Sequence, residues 1–165
     1  MKKKTTSPIT TLTQGGRIPV KIKADSPQFI PMYKTKGSAA ADLIANIPPN
    51  DTGERIIRLA PGHIETIDAG FCMALPPGWE AQIRCRSGLA QKGIQVTNGI
   101  GTIDDDYRGR IMVILNNVGR EIVNIRHGER FAQMLLKPVW YFAWNIVNEL
   151  DETPRGEGGF GSTGQ

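Results

Sequence analysis

The chain has 165 residues, 39% of them hydrophobic and 22% charged, which is enough for one compact domain with a core and too short for two. Its formal net charge is +4, and part of that charge lies in residues 1–4 with no stripe of interleaved basic and aromatic residues after it, so no nucleic-acid-binding surface is expected. The sequence contains no apolar run of about 18 residues, so neither a signal peptide nor a membrane span is expected, and the chain is predicted to be cytoplasmic.

Glycine and proline occur 19 and 11 times, a pattern that favours short strands joined by turns over long helices. Residues 1–16 are polar and threonine-rich, and we predict that they form a flexible leader. From Arg17 onward, short runs of β-branched and apolar residues alternate with turn signals. One strand is predicted from Ile64 to Leu75, between Pro61-Gly62 and the turn at residues 76–78.

The clearest alternation of apolar and polar residues covers residues 79–86 and predicts a strand. Its apolar face would carry Trp79, Ala81, Ile83 and Cys85, and its polar face Glu80, Gln82, Arg84 and Arg86. The next stretch, Gly88 to Gly93, is the one place where we predict a helical turn.

Ile111 to Leu115 is apolar throughout, which is typical of a strand covered on both faces. Two further strands are predicted at Arg120 to Ile125 and Phe131 to Leu136, with His127-Gly128 as the turn between them. Several strands at a spacing of roughly ten residues predict an all-β sandwich or barrel-like sheet with little helix.

The two cysteines, Cys72 and Cys85, are too few for a disulfide framework, so a reducing compartment is expected. Both lie in strand-like segments and are predicted to be buried small hydrophobic residues. His63 and His127 show no ligand spacing with the cysteines, so no zinc site is predicted.

Two internal segments are candidates for chemistry. Arg86-Ser87-Gly88 gathers a charge, a hydroxyl and exposed amides at the end of a strand, which suits a phosphate cradle; the alternative is a plain turn. No histidine is near Ser87 in the sequence, so a nucleophilic role is not predicted.

The second segment holds three consecutive carboxylates, Asp104, Asp105 and Asp106. These are electrostatically costly unless a cation or a water-activating task compensates. The alternative, which the residues alone favour, is a solvated acidic turn. Alternation would place Asp104 and Asp106 on one side of the chain and Asp105 on the other.

Residues 155–165 are glycine-rich and cannot bury enough surface to order themselves, so they are predicted to be flexible when alone. Glycines 156, 158 and 161 match a dinucleotide fingerprint formally, but no strand precedes them and no helix can follow. Their unhindered amides can still wrap phosphate oxygens. Arg155 adds a bidentate fork, Ser162 and Thr163 add hydroxyls, and Phe160 could stack on a base. The alternative is a disordered tail without a ligand.

Five segments, in the family's order, resemble the trimeric dUTPases. They read Ala40-Ala41-Asp42-Leu43, Arg86-Ser87-Gly88-Leu89-Ala90, Gly101-Thr102-Ile103-Asp104 through Tyr107-Arg108-Gly109, Gly128-Glu129-Arg130-Phe131-Ala132-Gln133, and Arg155 through Gly164. The first segment has Ala40 where the family usually has glycine, and Cys85 stands where the family usually opens the second segment with proline.

The resemblance implies a jelly-roll-like β domain over residues 17–154, a homotrimer with active sites at subunit boundaries, and a mobile C-terminal arm of residues 155–165 that closes over a neighbour's site. It also implies a Mg²⁺-dependent enzyme that hydrolyses dUTP at the α–β phosphoanhydride to dUMP and pyrophosphate. Such an enzyme cleanses the nucleotide pool and supplies dUMP for thymidylate synthesis.

Carried over position by position, the resemblance assigns Asp104 to deprotonate the attacking water. Tyr107 would pack on the deoxyribose and exclude a 2′-hydroxyl, and Asn98 with its hairpin would read uracil. Asp42 would reach waters on a Mg²⁺ chelated by the triphosphate. The phosphates would be held by Arg86, Ser87, Gly88 and Gln133. In the arm, Arg155 would grip the γ-phosphate, Phe160 would cover the uracil, and Ser162 and Thr163 would close over the phosphates.

Three other functions stay open. The related dCTP deaminases share the fold and the trimer, but they use a glutamate on the strand after the acidic turn, and residues 111–118 contain no carboxylate. A regulatory module that signals its nucleotide state to a partner protein belongs to a different class. A purely structural trimer is the third.

Overall fold

A computed structural model describes residues 16–160 of the chain. Strands dominate these residues, and the two helical elements are short, so the all-β prediction is confirmed. The strands are β1 (Lys21–Ala24), β2 (Ala41–Ile44), β3 (Ile56–Leu59), β4 (Ile64–Ala74), β5 (Trp79–Cys85), β6 (Ile94–Val96), β7 (Gly101–Ile103), β8 (Arg110–Asn117), β9 (Val123–Arg126) and β10 (Arg130–Pro138). The helical elements are a 3₁₀ turn (Pro27–Phe29) and α1 (Ser87–Ala90), the helical turn expected after the alternating strand. Within the described part of the chain, no helix has the length and apolar character needed to cross a bilayer.

The strands form three antiparallel sheets. Two have four strands, in the orders β1-β4-β8-β6 and β2-β10-β5-β7, and the third pairs β3 with β9. Because β6 belongs to one large sheet and β7 to the other, the turn between them connects the two sheets and is not a hairpin of paired strands. Asn98 lies in that turn.

The core follows the alternation that the sequence predicts for β5, where Ala81 and Ile83 are buried and Glu80, Gln82 and Arg84 are half-buried. Phe71, Phe131, Leu43 and Ile83 are among its largest fully buried side chains. Side chains of this size contribute about 1.5–3 kcal/mol each when fully buried, so the inward faces of the two large sheets hold the fold together.

Two burial predictions are wrong for the single chain. In β8, Ile111, Val113 and Leu115 are buried, but Met112 and Ile114 are 41% and 38% exposed. The strand is therefore covered on one face only, because its core contacts come from one side.

Cys72 and Cys85 are half-buried rather than buried. Cys72 lies between the buried Phe71 and Met73 and so points to the opposite face, and Cys85 ends β5. Partial burial raises the pKa of the Cys85 thiol.

After β10 the described chain, through residue 160, forms neither helix nor strand. Large apolar side chains stand exposed there, among them Trp140, Tyr141, Phe142 and Trp144. The Phe142 and Trp144 rings stack on each other, 4.6 Å apart between centroids. The boundary between domain and arm at residues 154 and 155, and the arm's mobility, stay predictions.

Candidate functional site

Three polar residues come together on neighbouring strands, and two of them, Asp42 and Gln133, are predicted site residues. Strand β10 lies between β2 and β5, and its Gln133 is opposite Asp42 on one side and Arg84 on the other. Directly opposed residues of a ladder point to the same face. The register therefore sets Asp42, Gln133 and Arg84 in one row, although they are far apart in the sequence.

Asp42 is the centre of an ion cluster. Arg86 donates from Nε to Asp42 Oδ1 at 3.0 Å, and Arg130 donates from Nη1 to Asp42 Oδ2 at 2.9 Å. Arg86 also donates from Nη1 to the Arg130 carbonyl at 3.0 Å. The Asp42 side chain is only 14% exposed. Two guanidinium groups share one carboxylate, so the cluster keeps an excess positive charge that favours an anion.

A cleft of about 370 Å³ opens beside this cluster, and its lining includes Lys34, Ser38, Asp42, Arg84 and Gln133. Arg84 donates from Nη2 to Gln82 Oε1 at 2.8 Å, but its buried Nε has no hydrogen-bond partner. A buried donor without a partner is costly, so an acceptor entering the cleft would be stabilised there.

Gln133 connects the row to the predicted phosphate segment. Its Nε2 donates to the Cys85 carbonyl at 2.9 Å, one residue before Arg86. Ser87 and Gly88 follow in the exposed first turn of α1. A Cβ at Gly88 would meet no atom within 4 Å, so the fold of the single chain leaves open space above this backbone.

The loop that follows β7 carries the three carboxylates. Asp105 accepts a hydrogen bond from the Gly78 amide through Oδ2 at 2.7 Å, and Asp104 and Asp106 are exposed. Residues 105 and 106 form a turn rather than a strand, so the predicted alternation of the three carboxylates between two sides stays a prediction. Of the three, Asp105 has a structural task, and Asp104 and Asp106 are free to face solvent or a ligand.

Tyr107 is held against the backbone of its own loop. Its hydroxyl donates to the Arg110 carbonyl at 3.1 Å. A Cβ at Gly109 would lie 2.3 Å from the Tyr107 hydroxyl, so only glycine admits the ring in this position. Arg108 closes the turn by donating from Nη1 to the carbonyls of Asp105 and Tyr107, at 2.6 and 2.8 Å.

Asn98 is exposed in the turn between β6 and β7, which is closed by the Gly99 amide donating to the Val96 carbonyl at 2.9 Å. The Asn98 Nδ2 atom lies 3.7 Å from where a Cβ of Gly101 would stand, and the Ile83 Cβ atom lies 3.1 Å from that point. Gly101 thus brings β7 close to β5, and the side-chain amide of Asn98 lies near the same point.

The arm residues that the structure describes lie outside both groups. Arg155 donates from Nε to the Gly158 carbonyl at 2.7 Å, and Phe160 is fully exposed with a φ of 49°. Positive φ is uncommon for a residue other than glycine. Ser162 and Thr163 lie outside the described residues.

Two sets of residues were missed by the sequence analysis as contributors to the site. Arg130 joins the ion cluster around Asp42, and Lys34 and Arg84 line the cleft, although nothing in their spacing indicated it. Asp25, Asp68 and Arg110 form a second ion cluster at the start of β8, next to the Tyr107 loop. No short sequence pattern marks either set, because the residues of each set are distant in the sequence and meet only when the sheets form.

Comparison with known proteins identifies the family. The sequence profile of the family described as dUTPase matches residues 27–164. The chain belongs to the dUTPase family. A deoxyuridine 5'-triphosphate nucleotidohydrolase of Desulfotalea psychrophila is 48% identical over 136 residues, which cover 82% of this chain and 87% of that relative. One of Roseobacter denitrificans is 46% identical over 142 residues, covering 86% and 90%.

Solved dUTPase structures share the fold. A mutant of the Staphylococcus bacteriophage 80alpha dUTPase with dUpNHpp has a TM-score of 0.73 at 22% identity, covering 89% of this chain and 99% of that one. A mutant of the dUTPase from phage phi11 of S. aureus, described for its coordination of a structural Mg(II) ion, has a TM-score of 0.65 at 19% identity, covering 79% and 97%. At these identities the likeness establishes the fold alone.

Proposed function

We propose that this dUTPase hydrolyses dUTP between the α- and β-phosphates, releasing dUMP and pyrophosphate. The observation that carries the proposal is the cationic cradle on β2, β10 and β5, in which Arg86 and Arg130 share the one carboxylate of Asp42 beside Gln133. A triphosphate is a polyanion, and such a cradle matches its charge.

The cradle residues would divide the phosphate contacts between them. The described hydrogen bonds of Arg86 use Nε and Nη1, so Nη2 can turn to a phosphate oxygen. Ser87 and the open backbone at Gly88 would add a hydroxyl and amide donors, and Gln133 would add its side-chain amide. Because Asp42 already orients Arg86, little side-chain entropy would be lost on binding.

Asp42 also suits a magnesium ion that enters with the triphosphate. Among residues 16–160 there is no group of three acidic, histidine or cysteine side chains arranged as metal ligands, and Asp42 offers one carboxylate at the cradle. Mg²⁺ is commonly held by one or two carboxylates, substrate phosphates and waters, so the donor set fits. When bound, the ion would neutralise phosphate charge.

For the chemical step, Asp104 would act as the general base. Its carboxylate is exposed, whereas that of Asp105 is engaged with the Gly78 amide. Asp104 would take a proton from water as the water oxygen forms a bond to the α-phosphorus. The bond to the bridging oxygen then breaks, and pyrophosphate leaves with the electron pair.

Recognition of the nucleoside would fall to the other predicted residues. Tyr107 would pack on the deoxyribose and leave no room for a 2′-hydroxyl, and Asn98 would read the uracil edge. In the arm, Arg155 would hold the γ-phosphate, Phe160 would cover the base, and Ser162 and Thr163 would close over the phosphates.

The working assembly would be a cytoplasmic homotrimer whose arms reach neighbouring sites. The support from this chain is its exposed apolar surface: Met112 and Ile114 on β8, and the aromatic side chains of Trp140, Phe142 and Trp144 after β10. Exposed apolar patches of this kind mark interaction surfaces, which a second and third copy would cover.

The test is release of pyrophosphate with dUTP, dTTP, dCTP and UTP measured side by side. We expect rapid turnover of dUTP alone. Ammonia release from dCTP would instead identify a deaminase. Tight binding of a non-hydrolysable dUTP analogue without turnover of dUTP would point to a regulatory binding module.

A further inference from the structure

A second ion cluster fixes the first residue of β8. Arg110 donates from Nη1 and Nη2 to the two carboxylate oxygens of Asp25, at 2.7 and 2.6 Å. The same guanidinium donates from Nε to Asp68 Oδ2 at 3.1 Å, and its Nη2 is also bonded to that oxygen. One planar fork thus bridges two carboxylates from different parts of the chain.

Backbone and amide contacts extend this cluster to three segments. The Asn46 side chain donates from Nδ2 to Asp25 Oδ2 at 3.0 Å, and the Asn46 backbone amide donates to the Asp68 carbonyl at 2.8 Å. Asp68 Oδ1 accepts from the Gly70 amide at 2.7 Å, and the Asp25 amide donates to the Gly70 carbonyl at 2.9 Å. Arg110 is therefore tied to the chain after β1, the chain after β2, and the middle of β4.

The cluster lies where the backbone ladder between β4 and β8 is interrupted. Strand β8 pairs with β4 from Ile64 to Asp68, and the register shifts before the next pair, Cys72 with Arg110. Gly70 adopts a φ of +82° within this irregularity. A bulge leaves residues unpaired and disrupts the ladder locally. The Arg110 side chain spans the bulge and supplies the restraint that the missing ladder bonds do not.

The backbone of the same residue holds Tyr107. The Tyr107 hydroxyl donates to the Arg110 carbonyl at 3.1 Å, and the ring lies against Gly109. The side chain of Arg110 is thus anchored on one side of β8, and its carbonyl anchors the phenol. A shift at the start of β8 moves the acceptor of the Tyr107 hydrogen bond.

We propose that Arg110 is a positioning residue for sugar discrimination, acting through Tyr107. This inference rests on the proposed role of Tyr107 against the deoxyribose. Without the guanidinium, the Asp25 and Asp68 carboxylates face each other with no cation between them. The start of β8 then shifts and the ring loses its fixed position. The 2′-hydroxyl of UTP is admitted more easily, and the residues that hold the phosphates remain in place on the other large sheet.

The experiment compares kcat/KM for dUTP and UTP in Arg110→Met, Tyr107→Phe and the double variant. The ratio of the two substrates in one preparation is independent of the fraction of folded enzyme, so simple destabilisation does not change it. We expect each single variant to lower the dUTP:UTP ratio roughly 2- to 10-fold, the worth of one net hydrogen bond. The double variant should lower it no further than one single variant, because both changes remove the same restraint.

Arg58→Met is the matched control, since it removes a guanidinium from an exposed ion pair with Glu54 at 2.9 Å, outside this network. It should leave the ratio unchanged. Arg110→Lys keeps the charge but loses the fork, and should give an intermediate ratio. If Arg110→Met does not fold, Arg110→Lys and Asp25→Asn provide the same comparison.

An unchanged ratio in the Arg110 variants, or effects of Arg110→Met and Tyr107→Phe that simply add, would overturn the inference. Tyr107→Ala separates this failure from a failure of the proposed function. If Tyr107→Ala relaxes the rejection of UTP and Arg110→Met does not, only the role of Arg110 is wrong. If Tyr107→Ala also leaves the ratio unchanged, the ring does not read the sugar at all.

Discussion

The cationic cradle, which we propose binds phosphate, and the acidic loop are built in opposite ways. The cradle collects Asp42 from β2, Gln133 from β10 and Arg86 from the residue after β5, and holds them by register and ion pairs. The loop from Asp104 to Gly109 is a continuous stretch, closed by hydrogen bonds that its own residues donate or accept. Charge binding thus depends on the sheet, whereas the proposed base lies in a local turn. The two regions should respond differently to mutation and to acid.

The largest effect is expected in the loop. Asp104→Asn removes the proposed base but keeps the size of the side chain, and should lower kcat by roughly 10²–10⁴-fold. Binding of a non-hydrolysable dUTP analogue should survive, because the cradle is untouched; calorimetry would measure it. Near-normal turnover in this variant would move the assignment to Asp106 or Asp105.

A mixing experiment tests whether the loop and the arm meet between chains. A chain truncated after Pro154 and a full-length chain with Asp104→Asn should each be nearly inactive. When the two chains are unfolded together and reassembled at equal amounts, about a quarter of the wild-type sites should be recovered. Each such site needs an intact Asp104 from a truncated chain and an intact arm from an Asp104→Asn chain, and random assortment in a cyclic trimer supplies each of them about half of the time. Each chain reassembled alone is the control. If mass measurement shows mixed trimers and no activity returns, Asp104 and the arm must come from the same chain.

A matched pair of Asp→Asn changes compares the stability of the two regions. Asp42→Asn leaves Arg86 and Arg130 without their carboxylate and should lower the free energy of unfolding by about 1–3 kcal/mol. Asp105→Asn keeps an oxygen for the Gly78 amide, so its cost should stay below about 1 kcal/mol. Urea unfolding would measure both. Equal costs would mean that the ion pairs of the cradle add no more stability than the single hydrogen bond between Asp105 and Gly78.

The smallest expected effect is an acid response on the cradle side. His127 Nδ1 accepts a hydrogen bond from the Ile47 amide at 3.2 Å, and the ring lies edge-on to Phe29. Burial, with Arg55 nearby, lowers the pKa of His127 below its usual 6.5. The folded state therefore binds this proton less readily than the unfolded state, so the contribution of His127 to stability is fully present above pH 6.5 and is lost as the pH falls below it.

Hydrogen exchange between pH 7 and 5 would show this as faster opening of β2 and β10, with the loop after β7 unchanged. His127→Gln should reduce the pH dependence. His63, which is exposed, provides the control through His63→Gln. The same slope in wild type and His127→Gln would show that another group titrates.

Local patterns accounted for much of the fold. The alternation of residues 79–86 predicted β5 and its buried face, and the glycine and proline signals placed turns at residues 61–62, 76–78 and 127–128. The same kind of pattern failed for β8, because an unbroken apolar run does not say which of its faces has a partner. Met112 and Ile114 are exposed for that reason.

The sequence by itself determined the class of the fold and the five segments that resemble the dUTPases, since each depends on residues close together in the chain. Only the tertiary structure decided that Arg130 joins Asp42 and Arg86, and that Arg110 bridges Asp25 and Asp68 beside Tyr107. Ion pairs of this kind depend on strand register and on a bulge in β4. Those features come from packing between distant segments, which no local spacing encodes.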